Sequence, residues 1–361
     1  MIPKYRQIAD RLRTQLTGEN RVRMTKLPTE MELCALYDVS RQTIRQALHV
    51  LETEGLIERR QGSGAYATGL HPDASHNQIA ILLPTDSDYT YARLRNALQT
   101  PLVKEGFAVS FFLTGHSVAR ERAILQQLQT IPLRGLIADT VKSAFPNPNL
   151  DLYEKLWARQ LPTVFLHAGY ENFPPRTVIT EENFVGASQL TGYLIDRKHT
   201  QIAGIFRSDT RSGLERYLGF TTACCAARII WSDSNIRWYS SLELDALQKK
   251  QATGFLTDFI RQNLGACSAV ICQDDEIAYW LVKELIHAGK NVPEDVSVVS
   301  FDNSFLCDFS VPGLTSLSHQ NDSELAVAAT DALLTQMRGE QASSVSLHYE
   351  LIERASCTSL D

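Results

Sequence analysis

The stretch Leu27-Pro-Thr-Glu-Met-Glu-Leu-Cys-Ala-Leu-Tyr-Asp-Val-Ser-Arg-Gln-Thr-Ile-Arg-Gln-Ala-Leu48 decides the fold of the N-terminal part of this chain. Thr29 with Glu32 three residues later makes a capping box, so a helix starts at Glu30. It turns Leu33 and Leu36 inward and stops near Asp38. Ser40 is the next N-cap. The following helix runs from 41 to about 54, with Gly55 as its stop. Ile44, Ala47, Leu48 and Leu51 form its buried stripe, and Arg41, Gln42, Arg45 and His49 lie on the other face. Helix, short turn, helix is the helix-turn-helix arrangement, in which the second helix reads the DNA major groove.

Working outward, Tyr5, Ile8, Ala9, Leu12 and Leu16 recur at helical spacing and predict a first helix over 4–17. A basic loop, Arg21-Val-Arg-Met-Thr-Lys26, follows it. Downstream, residues 56–60 and 65–67 read as two short strands around Gln61-Gly-Ser-Gly64, a β-hairpin wing. An arginine fork matches O6 and N7 of guanine, which suits Arg41 and Arg45 at the start of the reading helix. The wing glycines either make the turn alone or let backbone enter a minor groove with Arg60 or Gln61 at the tip.

Charge follows the same division. The chain has 361 residues and a net charge of −6, which by itself argues against a nucleic-acid binder. Yet residues 1–70 hold 11 Lys/Arg against 8 Asp/Glu, and the remainder holds 24 against 33, a basic head on an acidic body. The length suggests more than one domain. Hydrophobic residues at 44% and charged residues at 21% exclude a collagen, a coiled-coil rod and a disordered chain. The apolar runs are strand-sized, far short of a membrane span. The first helix carries Lys4, Arg6, Asp10, Arg11 and Arg13 and has no signal-peptide core. Seven cysteines without metal spacing point to free thiols in a reducing, cytoplasmic setting.

Residues 69–77 read as a polar linker between a head at 1–68 and a body at 78–361. In the body, strand-sized runs at 79–83, 108–113, 135–138, 163–167, 202–206, 269–272 and 296–301 alternate with helical patterns at 91–105, 118–130, 182–197, 213–226 and 275–288. This is βαβ spacing, so the body is α/β: parallel sheets, helices on both faces, and enough strands for two doubly wound lobes. No G-x-G-x-x-G after a strand, G-x-x-x-x-G-K-[ST], G-x-S-x-G or H-E-x-x-H is present, and His116, His287 and His348 read as surface residues rather than bases. Polar groups do collect at strand ends: Asp139, His167, Asp274 with Asp275, and Asp302 with Asn303. Asp275 reads as a helix N-cap. Carboxylates at that edge accept pairs of hydroxyls, and Arg216 can donate to a sugar's oxygens. Tyr89 and Tyr91, in the first strand-to-helix loop, either lay a ring on a sugar face or pack.

The head resembles the winged helix-turn-helix of the GntR family. The matching residues are Pro3-Lys-Tyr-Arg-Gln-Ile8, Leu27-Pro-Thr-Glu30, Glu32-Leu33, Val39-Ser-Arg-Gln-Thr-Ile-Arg-Gln-Ala-Leu48, Glu54-Gly-Leu-Ile57 and Arg60-Gln-Gly-Ser-Gly64. The resemblance implies DNA contacts from Arg41, Gln42, Thr43 and Arg45, with Gln61 and Gly62 in the minor groove and Lys4 and Glu30 also at the DNA. Ser40 and Arg60 complete this set. The loop before Leu27 departs from the family in lacking a glycine.

The body looks like the LacI/GalR sugar-binding module, a periplasmic-binding-protein type I fold. Its matching residues are Ile79-Ala-Ile-Leu-Leu83, Gly135-Leu-Ile137, Glu182-Asn183, His199-Thr-Gln-Ile-Ala203, Arg216, Gly219-Phe220, Asp274-Asp-Glu-Ile-Ala278, Val292-Pro-Glu-Asp-Val-Ser-Val-Val299, Phe301-Asp-Asn303 and Leu314-Thr315. It implies effector contacts from Arg216, Asp274 and Asp302. Asp274 stands where the family has Asn, Lys198 replaces a glycine before His199, and Asn303 replaces a second acid. The pairing of the two modules, with the run Thr140-Val-Lys-Ser-Ala-Phe-Pro-Asn-Pro-Asn-Leu150, resembles the arabinose-responsive AraR-type repressors.

These readings predict a sugar-responsive repressor of sugar utilisation, a homodimer on double-stranded operator DNA, with no cofactor, no metal, no membrane and no enzymatic activity. The expected effector is a small neutral sugar, most simply L-arabinose, bound by Arg216, Asp274 and Asp302 with Tyr89, Asp139, Lys142 and His167. The rival readings are a regulator of another sugar or a sugar phosphate, a head fused to an aminotransferase-like enzyme, and a sugar-transport protein.

Overall fold

The computed structural model describes residues 4–5, 8–9, 11–12, 27–53, 57–60, 64–67, 77–85, 89–319 and 323–360. The basic loop at 21–26, Gly55, the hairpin tip with Gln61 and Gly62, and nearly all of the linker lie outside them. The chain divides into two compact units. One runs from the start to Ile79 with short returns at 106–108 and 132–134, and the other comprises the rest.

In the first unit, Lys4, Tyr5, Ile8, Ala9, Arg11 and Leu12 are helical. Helices α1 (Glu30–Tyr37) and α2 (Arg41–Thr53) follow, then an antiparallel hairpin of β1 (Ile57–Arg60) and β2 (Gly64–Ala67). Ile8, Ala9, Leu12, Leu27, Leu33, Ile44, Ala47, Leu48, Leu51 and Ile57 make one core. Leu36 departs from the expectation: it is 65% exposed, because one α1 stripe centred on Leu33 suffices to cover α2.

The second unit holds two six-stranded sheets. The first lobe contains β3 (Gln78–Leu83), α3 (Tyr89–Lys104), β4 (Ala108–Leu113), α4 (Val118–Leu128), β5 (Leu133–Asp139), α5 (Leu150–Ala158), β6 (Thr163–Leu166) and β7 (Thr177–Glu181). The chain then crosses to α6 (Asn183–Asp196), β8 (Ile202–Arg207), α7 (Arg211–Ala226), β9 (Ile236–Tyr239), α8 (Ser241–Lys250), α9 (Gly254–Gln262), β10 (Ala269–Cys272), α10 (Asp275–His287), β11 (Ser297–Phe301), α11 (Leu306–Phe309) and β12 (Thr315–Ser318). It returns through α12 (Glu324–Met337) and β13 (Val345–Leu347), and crosses again to β14 (Glu350–Ile352).

The strand orders are β13-β7-β6-β5-β3-β4 and β14-β12-β11-β10-β8-β9. In the second lobe β9, β8, β10, β11 and β12 run parallel, and β14 closes the edge antiparallel to β12. Strands such as β6, β10 and β11 are buried along their whole length, which is why they read as continuous apolar runs. Three crossings join the lobes, and they are tied to one another. Glu182 N–H donates to Leu347 O, His348 Nδ1 meets Glu182 Oε2 at 2.6 Å, and the His319 ring stacks on Tyr349 with centroids 4.6 Å apart.

Two sequence expectations shift here. Tyr89 and Tyr91 stand in the first turn of α3 rather than in a loop. The N-cap of α10 is Asp274, whose carboxylate accepts from Ile277 N–H at 2.9 Å, and Asp275 is turned under the sheet edge instead.

Candidate effector cavity and nucleic-acid interface

The reading helix is built from its cap upward. The Thr29–Glu32 capping box forms, with Glu32 Oε2 accepting from Thr29 N–H at 2.7 Å, and Asp38 ends α1 in the left-handed region at φ 47°. Ser40 Oγ accepts from Thr43 N–H at 3.3 Å, which starts α2. Burying Ile44, Ala47, Leu48 and Leu51 leaves Arg41, Gln42 and Arg45 in solvent. Arg45 Nε meets Glu30 Oε2 at 2.9 Å. That surface pair is worth under about 1 kcal/mol, so it opens readily toward a base. Lys4 is exposed, and Arg60 pairs Gly64 in the hairpin register. Gln61 and Gly62 lie outside the described residues.

The cavity lies where the carboxyl ends of both sheets meet, as the topology of doubly wound sheets dictates, and measures about 760 Å³. Asp139, Lys142, His167, Arg216, Asp274 and Asp302, all expected from sequence, line it. Tyr89 begins α3, and Tyr91 in the same turn lines the cavity. In the first lobe His167 sits between two carboxylates, 3.0 Å from Asp139 and 3.6 Å from Glu181, and Tyr91 OH donates to Asp139 at 2.8 Å. Burial opposes charge on His167, but Asp139 and Glu181 outweigh it and raise its pKa to about 10.

In the second lobe Arg216 is 5% exposed. Its Nε donates to Asn183 Oδ1 at 2.9 Å, Nη1 to Gln273 O, and Nη2 to Tyr349 OH at 2.9 Å and Asp302 Oδ1 at 3.3 Å. Its guanidinium lies over the Phe301 ring at 4.1 Å. Asp274 also accepts from Tyr239 OH at 3.2 Å, and burial together with Asp302 pushes its carboxyl above the usual range. The floor is thus an arginine fixed edge-on among carboxylates that keep free lone pairs. Such a floor accepts the paired hydroxyls of a polyol and donates to a ring oxygen. Trp280 and Tyr91 add aromatic surface.

Sequence reading missed Glu181, Arg207, His116 and Trp280 in this lining. Arg207 is the last residue of β8, so the strand-end rule that found Asp139 would have found it. His116 is not a surface group: Arg207 Nη2 donates to its Nδ1 at 3.0 Å, and burial with that guanidinium lowers its pKa to about 4. His287 and His348 are exposed, as expected.

Residues 4–66 match the model described as bacterial regulatory proteins, gntR family, and residues 191–357 match the periplasmic binding protein-like domain. Among solved structures the chain is similar to the transcription regulator CcpA of Lactococcus lactis (21% identity, TM-score 0.65, 78% of this chain and 99% of that one). It is also similar to a periplasmic binding protein/LacI transcriptional regulator from Alkaliphilus metalliredigens complexed with D-xylulofuranose (18%, TM-score 0.64, 79% and 100%). Fold and site together define a ligand-responsive transcriptional regulator. The chain is 30% identical over 336 residues to the arabinose metabolism transcriptional repressor of Geobacillus stearothermophilus, covering 92% of this chain and 91% of that one. It is 27% identical over 347 residues to the protein of the same name from Halalkalibacterium halodurans, covering 94% and 91%. It belongs to the family of arabinose metabolism transcriptional repressors and is a sugar-responsive DNA-binding repressor. These relatives are regulators, not enzymes. Among the described residues no helix is long and apolar enough to cross a membrane.

Proposed function

We propose that this repressor is a cytoplasmic homodimer without enzymatic activity, released from a two-fold symmetric operator by L-arabinose. The head at 1–68 reads the operator through Arg41, Gln42, Thr43 and Arg45 on α2, with Ser40, Lys4 and Glu30 beside them. Arg60, Gln61 and Gly62 carry the hairpin to the minor groove. One such helix reads few base pairs, so two heads on a symmetric site are needed. The linker at 69–77 sets their spacing, and the body at 78–361 holds the sugar.

The observation that carries this reading is the meeting of Asp139, Asp274, Asp302 and Arg216 in one cavity of about 760 Å³, a size within the range of small-molecule sites. Four carboxylates, Glu181 among them, welcome hydroxyls, and the cations beside them, His167, Arg216, Lys142 and Arg207, are already paired with carboxylates of the protein. Four of the five N–H donors of Arg216 and three of those of Arg207 are engaged by protein groups, which leaves Arg216 one donor for a sugar oxygen and disfavours a phosphate. The names of the relatives favour arabinose among neutral sugars. Sugar that prefers one lobe closure and DNA that prefers another weaken each other by the same factor. Calorimetry with L-arabinose, and operator binding with and without it, tests the assignment. Heat and release with a sugar phosphate alone would replace the ligand and keep the repressor.

A further inference from the structure

Asp302, the acid that meets Arg216, occupies an unusual backbone position. Its φ is 90° and that of Asn303 is 43°, so two successive non-glycine residues sit at positive φ where β11 turns into the cavity. Such a turn costs free energy and persists only where its surroundings hold it. The Asp302 N–H pairs with Leu317 O at 2.8 Å within the sheet edge. The next two N–H groups converge on one buried carboxylate. Ser304 N–H donates to Asp275 Oδ2, and Asn303 N–H donates at 3.1 Å to Ser316 Oγ, whose own hydroxyl donates at 2.7 Å to Asp275 Oδ1. Ser300 Oγ donates to the same Oδ1.

We infer that Asp275 is the positioning residue of the effector site: it borders the cavity, but both of its carboxylate oxygens are taken by the protein, and it clamps the Asp302–Ser304 turn that aims the Asp302 carboxylate at the sugar and at Arg216. Asp275 is 1% exposed, and every partner named here donates to it. A carboxylate accepts on both oxygens, so it takes all three donors as they stand, whereas an amide accepts on one side only and would force the serine hydroxyls on the other side to turn. Burial and nearby Asp302 push its carboxyl up to about 7, and the hydrogen bonds from Ser300, Ser304 and Ser316 work against that rise. The remaining ties on the turn act through the Asn303 side chain, which donates to Ser318 Oγ and accepts from Arg354. They leave the two backbone N–H groups to Asp275 and Ser316. The inference rests on the effector reading above and adds a residue to it that no sugar contact would reveal.

The test uses the full chain and three variants, Asp275→Asn, Asp275→Ala and Ser316→Ala, in two measurements. The first is L-arabinose affinity by calorimetry. Asp275→Ala weakens it by about tenfold, and Asp275→Asn and Ser316→Ala by a few-fold, in keeping with the number of acceptors removed. The second is amide hydrogen exchange, which needs no ligand. Asp275→Ala speeds exchange at both Asn303 and Ser304, and Ser316→Ala at Asn303 alone. A generally destabilised protein would instead speed exchange throughout and lose operator affinity in step. Ser316→Ala leaves the buried charge in place, so it reports even if an Asp275 variant fails to fold. Unchanged sugar affinity in a folded Asp275→Ala overturns the inference, as does unchanged exchange at the turn. If the wild type gives no heat with L-arabinose, the ligand assignment falls, and the exchange measurement decides the clamp alone.

Discussion

Lys142 Nζ lies 3.4 Å from Asp209 Oδ2, joining the loop after β5 in one lobe to the loop after β8 in the other. Ser143 Oγ accepts from Arg211 N–H at 3.0 Å beside it, and Arg207 reaches His116 from the same side. These contacts exist only while the lobes are together. A sugar that binds between closed lobes gains from them, because closure is then partly prepaid. Lys142→Met should weaken L-arabinose several-fold and expand the protein in small-angle scattering without sugar. Asp209 keeps Arg207 and Ser241 as partners, so folding should survive. An unchanged affinity would make the contact incidental to closure.

At the DNA end, Arg45→Ala should cost about 1–3 kcal/mol on the cognate operator and much less on random DNA, as expected for a base contact. Arg45 is itself 65% exposed and its pair with Glu30 is a surface one, so the stability of the head should barely move. Equal losses on both DNAs in a binding assay would make Arg45 a phosphate contact.

His167 makes stability depend on alkaline pH. Its folded pKa, about 10, lies above the unfolded value near 6.5. The folded state therefore binds the proton more tightly than the unfolded one. The resulting stabilisation is full below pH about 6.5 and is lost as pH rises through about 10. Melting temperatures of wild type and His167→Gln, compared from pH 6 to pH 10, should show an advantage for the wild type that shrinks with rising pH. A constant gap would mean that His167 keeps one charge state throughout.

Close approach, not turn geometry, fixes Gly213. A Cβ there would fall 1.9 Å from Arg207 O, so α7 must start against the end of β8 without a side chain between them. Arg216 follows one turn later on the same helix. Gly213→Ala should therefore lower stability by about 1–3 kcal/mol, as overpacking does, and weaken sugar binding by displacing Arg216. Chemical denaturation and calorimetry on the same variant would read both effects.

The head was legible because each of its boundaries carries a local signal: Thr29 and Glu32 cap one helix, Ser40 caps the next, and Ile44 to Leu51 keep a clean stripe. In the body, apolar runs such as 269–272 announced themselves, and the aspartates just beyond them followed. What stayed hidden was polar and buried. Strand β12 is Thr315-Ser-Leu-Ser318, and its buried serines are held by hydrogen bonds rather than apolar packing. Strand β7, Thr177-Val-Ile-Thr-Glu181, is mixed in the same way, and missing it hid Glu181. Asp275 looked like a cap because acids begin helices. Only the three-dimensional arrangement of Ser300, Ser304 and Ser316 assigns the cap to Asp274 and the clamp to Asp275.

Asp302→Ala is the variant expected to separate sugar binding from DNA binding most directly. The Asp302 carboxylate is partly open to the cavity at 35% exposure, while Arg216 beneath it is nearly buried. Asp302→Ala removes one counter-charge from Arg216 and, on the proposed reading, one acceptor from the sugar. The arginine keeps Asn183, Gln273 and Tyr349, so it should remain in place and the protein should fold. The head lies in the other compact unit, and the substitution removes none of its residues. Operator affinity without sugar should then match the wild type, and release by L-arabinose should be lost at concentrations that free the wild type. Binding to a labelled operator fragment, titrated with sugar for both proteins, reads the two quantities together. A variant that still releases DNA at the wild-type sugar concentration would remove Asp302 from the effector site.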